Sequence, residues 1–136
     1  NFFRKKGMKN VMLHTHIYIF AMENFVPFHA KWVYQLYMAF NAWQLRRASR
    51  HIPVVVGEWC IANRKAQKLA DDPQKKEECR KIFRDIADMQ LKVWNQAAGQ
   101  IYWNYQLFRD KEKPFDENWK NGWDLSRCWN NDWIAF

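Results

Sequence analysis

"IPVVVGEWCIAN", residues 52–63, runs from a proline through three valines and a glycine to an acid and a tryptophan set side by side. A run of β-branched residues without polar alternation is what a strand covered on both faces requires. Residues 53–58 are therefore predicted as a buried strand, and Glu58 stands where its apolar run stops. A carboxylate at that point calls for a reason.

Upstream, "VMLHTHIYIF" (11–20) alternates as a second strand, with Leu13, Ile17 and Ile19 on one face and His14, His16, Tyr18 and Phe20 on the other. Between the two strands, Val33, Leu36, Tyr37, Phe40 and Trp43 recur at steps of three and four, which predicts an amphipathic helix over 30–50 with that stripe buried. Downstream, 59–72 reads as a polar loop. Asp72-Pro73 then reads as a helix start, with Asp as N-cap and Pro in the first turn. Ile82, Ile86, Met89, Val93 and Ala97 form that helix's buried stripe, and Gly99 is expected to end it. "QIYWNYQLF" (100–108) is a third strand with Ile101, Trp103 and Tyr105 on one face. An acidic, aromatic loop follows, and then a short helix from about Asp124. The order β-α-β-α-β-(α), with long helical crossovers, predicts a parallel sheet and an α/β fold.

The 136 residues suit one domain, 1–136, and 49% apolar content argues against disorder. No apolar run approaches the roughly 18–20 residues of a membrane helix, and no secretory-signal pattern is visible. Because the chain opens on Asn1, the true N-terminus is expected to lie elsewhere, which leaves localisation open. Cys60, Cys79 and Cys128 are odd in number and widely spaced, so buried thiols are expected rather than a disulfide framework or zinc knuckle. The net charge of +8 raises nucleic acid as a partner. Its cations, however, concentrate on two helical stretches, with acids mixed into the second, as on solvated helix faces. No nucleic-acid or membrane partner is expected. Nine tryptophans, several of them in polar loops, suit stacking on sugar rings with the indole N–H on a hydroxyl.

In parallel α/β folds the working residues lie at the carboxyl ends of the strands. Here those ends carry His16 and Tyr18, Glu58 and Trp59, and Trp103 and Tyr105. Three motifs occur in order: His16-Ile17-Tyr18, Val56-Gly57-Glu58-Trp59, and Gly99-Gln100-Ile101-Tyr102-Trp103-Asn104-Tyr105, with Trp123-Asp124 opening the last segment. This pattern resembles glycoside hydrolase family 5, in particular its exo-β-1,3-glucanase-like branch, over essentially the whole chain. The resemblance implies a (β/α)8 TIM barrel, of which this chain holds the C-terminal portion, strands six to eight with their helices. It implies hydrolysis of a β-glucan or β-glucoside by a retaining, two-carboxylate mechanism without cofactor or metal. Glu58 matches the nucleophile. His16 and Tyr18 are implied to assist it, and Trp103, Trp59, Tyr105 and Trp123 to contact the sugar.

The acid/base glutamate belongs to an earlier strand, and a whole barrel needs about 250 residues. The missing N-terminal half is thus an expected partner, and the chain alone is expected to be inactive. His14, Cys60 and Tyr105 depart from the family's usual residues, which leaves the glycan and the subfamily open.

Two other readings stand beside this one. His14-x-His16 sets two imidazoles on one strand face, as metal-dependent amidohydrolase-like barrels do. The aromatics and positive charge also suit a non-catalytic carbohydrate- or polyanion-binding module, which needs no carboxylate at a strand end.

Overall fold

The structure is a computed structural model and describes residues 7, 9–26, 30–70, 72–107 and 122–136. The three valines run along the middle strand of a three-stranded parallel sheet. Its strands are β1 (Leu13–His16), β2 (Val54–Trp59) and β3 (Gly99–Tyr102), in the spatial order 1-2-3. Between them lie α1 (Ile19–Met22), α2 (Lys31–Ser49), α3 (Arg64–Ala70) and α4 (Lys76–Trp94), and α5 (Leu125–Asn130) follows β3. With sequential order and right-handed crossovers, both long helices fall on the same face of the sheet. There α2 packs against α4, with Lys31 paired to Asp85 at 2.7 Å. Val54, Val56 and Trp59 meet Tyr34, Met38 and Leu45 of α2 and Phe83, Ile86 and Trp94 of α4 in one buried core.

The Asp72-Pro73 start is present: Asp72 Oδ1 accepts from Gln74 N at 3.0 Å over a 3-10 turn, Pro73–Lys75, that leads into α4. Asp124 likewise caps α5, accepting from Arg127 N at 2.9 Å. All three cysteines are buried free thiols. The exposed basic helix faces carry surface ion pairs such as Arg80 with Glu77 and Asp132.

Several expectations are corrected. The first strand stops at His16, and Ile19, buried in the core, already begins α1. The stripe assigned to α2 lies largely on its outer side. Leu36, Phe40 and Trp43 are 62%, 55% and 50% exposed, while Val33, Tyr34, Met38, Ala42 and Leu45 are buried. The segment 59–72 is not all loop, because Asn63 Oδ1 accepts from Ala66 N at 2.7 Å and starts α3. Gly99 does not end α4, which stops at Trp94 with Asn95 as its C-cap; Gly99 is the first residue of β3. The third strand ends at Tyr102 because the backbone of Asn104 turns to Trp123 and Leu125 (2.8 and 3.0 Å). Residue 108 and the loop that follows lie outside the described residues.

Candidate functional site

Strict alternation would put Glu58 on the same face as Val54 and Val56, inside the core. The register shows why it is not there. Thr15 pairs with Val56 but His16 pairs with Glu58, and Gln100 pairs with Val56 while Tyr102 pairs with Trp59. Against both neighbours β2 carries one extra residue at Gly57–Glu58, a β-bulge. A bulge shifts the phase of a strand and re-aims its side chains. After it, Trp59 returns to the buried face with Val56. Glu58 joins Val55, His14 and His16 on the face away from the helices, at the carboxyl end of the sheet.

Gly57 is the residue that the close approach requires. An added Cβ there would lie 1.4 Å from His14 Nε2, so the imidazole rests directly on its α-carbon. His14 in turn meets His16 edge to face, with ring centroids 4.8 Å apart. That contact leaves His16 turned toward the carboxylate.

Two groups hold Glu58, both through Oε2. The Tyr18 hydroxyl donates at 2.7 Å, and His16 Nδ1 lies 3.1 Å away. Burial, then the hydrogen bond to Glu58 and its charge, push the Tyr18 phenol well above its ordinary pKa, so it stays a proton donor. Oε1 takes no hydrogen bond from the described residues. A carboxylate with one oxygen anchored and the other open is oriented for attack or for stabilising a cation.

The Tyr18 ring packs 5.3 Å from Trp123 and 5.3 Å from Phe20, and Phe20 lies 5.0 Å from Trp123. Trp123 reaches this position through a knot of backbone contacts. The Tyr102 hydroxyl donates to Gly122 O and accepts from Ile61 N at 3.1 Å. Gly122 sits so close to residue 62 that a Cβ would fall 2.5 Å from Ala62 Cα, so only glycine brings the next residue to the site. Asp124, fully buried, fixes the other side by accepting from Ser126 Oγ at 2.7 Å and Leu107 N at 3.2 Å.

Of the residues expected at the site, Glu58, His16, Tyr18 and Trp123 are brought together. Trp103 follows the end of β3, 48% exposed, its backbone N–H donating to Trp59 O at 2.8 Å. Tyr105 is exposed two residues further on. Trp59 is not part of the surface. It is wholly buried, its ring 4.9 Å from Tyr102, and the expectation of a sugar contact there is corrected: the bulge that exposes Glu58 sends Trp59 inward. Sequence reasoning missed the functions of Gly57 and Phe20. The V-G-E step was the available signal for the first, since an isolated glycine in a strand marks a bulge or close approach.

The acids other than Glu58 described at this end of the sheet, Glu23 and Asp124, are buried and already engaged. Glu23 accepts from the Tyr34 hydroxyl at 2.6 Å and from Arg64 N at 2.9 Å. Among the described residues no group of three or more His, Cys, Asp or Glu stands where it could hold a metal ion. No described helix is long and apolar enough to cross a membrane. Neither models of protein families nor curated proteins yield a match to this chain.

Proposed function

We propose that this chain is the nucleophile-bearing, C-terminal portion of a (β/α)8-barrel glycoside hydrolase resembling family 5, acting on a β-glucan or β-glucoside with retention of configuration. The observation that carries the reading is the carboxylate of Glu58, set on the open face at the strand ends and held through one oxygen by Tyr18 and His16. In a retaining glycosidase such a carboxylate attacks the anomeric carbon, and the glycosyl-enzyme ester is then hydrolysed by water. Tyr18 orients the nucleophile. His16 bridges it to the sugar's hydroxyls, and Trp103 offers an exposed indole face for the ring.

The one-sided sheet supports the barrel. Parallel sheets are ordinarily covered on both faces; here the helices take one face and the histidines, Glu58 and Ile101 occupy the other, as strands do around a barrel interior. β1 also leaves an open flank. A groove of about 270 Å³ runs between it and α2, lined by Leu13, Ile17, Tyr37, Leu45 and Val54, where a preceding strand and helix would continue the barrel. The acid/base carboxylate, about 5–5.5 Å from the nucleophile in such enzymes, comes from that other half.

The experiment is complementation. The chain alone is expected to cleave no aryl β-glucoside or β-glucan, and to gain activity when the N-terminal half of the barrel is co-expressed with it. Strong cleavage by the chain alone would place both carboxylates within it and refute the half-barrel reading.

A further inference from the structure

Behind the aromatic group formed by Tyr18, Phe20 and Trp123 lies a second recess of about 290 Å³, lined by Phe20, Ala62, Asn63, Arg64, Gln67 and Trp123. Its size is at the small end of ligand sites, roughly 300–1,000 Å³, and suits one ring rather than a large molecule. We propose that this recess is an accessory subsite for one hexopyranosyl unit of a β-linked glycan. The proposal rests on the glycosidase reading for the class of sugar, while the recess itself is defined by residues other than Glu58.

Three features point to a polyhydroxylated ring. First, Phe20 and Trp123 form one wall, and aromatic faces stack on the C–H faces of pyranoses while leaving the hydroxyls free. Second, Arg64 and Gln67 stand one turn apart on α3, so both side chains border the same opening. Among the described residues the Arg64 guanidinium bonds only the side-chain oxygen of Asn24 and pairs with no carboxylate, and the Gln67 amide has no partner. They present hydrogen-bond donors and an acceptor at the mouth of an aromatic cleft, a combination that reads sugar hydroxyls. Third, both oxygens of the buried Glu23 accept from the backbone N–H of Arg64, which fixes the first turn of α3 and with it the side of the recess that carries Arg64 and Gln67.

Trp123 links the two places. One side of its surroundings is the Tyr18 ring whose hydroxyl holds Glu58, and the other is the recess. A glycan bound at Glu58 has a second unit's worth of contacts beyond the aromatic group, and Arg64 and Gln67 would set a preference for oligosaccharides over monosaccharides.

The test is titration of the 136-residue chain with laminaritriose and cellotriose, followed by indole fluorescence and by amide shifts of residues 62–67. Gln67→Ala and Arg64→Met are compared with the parent and with Glu58→Gln, and melting temperature is recorded for each. Each recess variant is expected to weaken binding by about five- to tenfold, as loss of a single hydrogen-bonding group does, with melting unchanged. Glu58→Gln should leave the shifts at 62–67 in place, so a wrong assignment of Glu58 would not touch this result. Absence of binding at millimolar sugar overturns the proposal. So does binding indifferent to Arg64 and Gln67 but sensitive to Glu58 and Tyr18, and so does tighter binding of an acidic oligosaccharide that fades with salt.

Discussion

The imidazole of His14 occupies the space in which a side chain on residue 57 would begin, with Nε2 1.4 Å from the position of an added Cβ. Glycine at the bulge thus lets β1 and β2 close up, and the bulge turns Glu58 outward. Gly57→Ala forces the ring away and is expected to cost about 1–3 kcal/mol, as overpacking does. His14→Ala in the same chain should recover most of that loss. A double-mutant cycle by urea denaturation measures the coupling, and additive effects would mean that the two residues do not meet.

The two tryptophans at the strand ends are expected to behave oppositely. Trp59 is wholly buried and packs on Tyr102, so Trp59→Ala should cost about 3–5 kcal/mol and leave little folded protein. Trp103 is half exposed, and Trp103→Ala should change stability by under about 1 kcal/mol while weakening sugar binding in the completed enzyme. Thermal melts alongside glycan titrations separate the two effects. A collapse of stability in Trp103→Ala would make it a packing residue.

How far the sequence could be read is shown by α2. It carries two apolar stripes. One contains Leu36, Phe40 and Trp43, and the other Val33, Tyr34, Met38, Ala42 and Leu45. Periodicity marks both, and only the position of the sheet selects the second. The strands and long helices were legible because β-branched runs and the Asp72-Pro73 cap are local signals. The bulge was not, since alternation assigns faces on the assumption of unbroken pairing, and that assumption buries Glu58. Sequence placed Glu58, His16 and Tyr18 near one another through strand ends. That both partners reach the same carboxylate oxygen depends on how the bulge aims Glu58, which no local pattern shows.

Alkali should destabilise the fold at a pH set by its buried groups. Burial pushes the Cys128 thiol up to about 12 and the Cys79 thiol up to about 11, and it pushes the Tyr18, Tyr34 and Tyr102 phenols up as well. In the unfolded chain thiols ionise near 8.5 and phenols near 10. The native state therefore holds more protons than the unfolded state above those values. These groups' contribution is whole below about pH 8.5 and is lost as pH rises toward the folded values. The slope is about 1.4 kcal/mol per pH unit for each group while only its unfolded form is ionised. Chemical denaturation from pH 7 to 11 tests this, and Cys128→Ala should flatten part of the decline.

Tyr18→Phe removes the shorter of the two contacts to Glu58 and leaves the ring against Trp123. In the completed barrel the variant is expected to lose about ten- to a hundredfold in kcat with a smaller change in KM, since a hydrogen bond to a charged group is worth about 1.5–3 kcal/mol. Unchanged kcat would show that the tyrosine does not orient the nucleophile.

The central claim is that Glu58 forms a bond to the sugar. Its most direct test is to incubate the whole barrel, full-length or reassembled with its N-terminal half, with a 2-deoxy-2-fluoroglucoside carrying a dinitrophenolate leaving group, and to map the product by peptide mass spectrometry. The expected result is a single fluoroglucosyl ester on the peptide that contains Glu58, formed with a burst of one dinitrophenolate per chain and abolished in Glu58→Gln. An ester on any other residue, or turnover that persists in Glu58→Gln, would contradict the account.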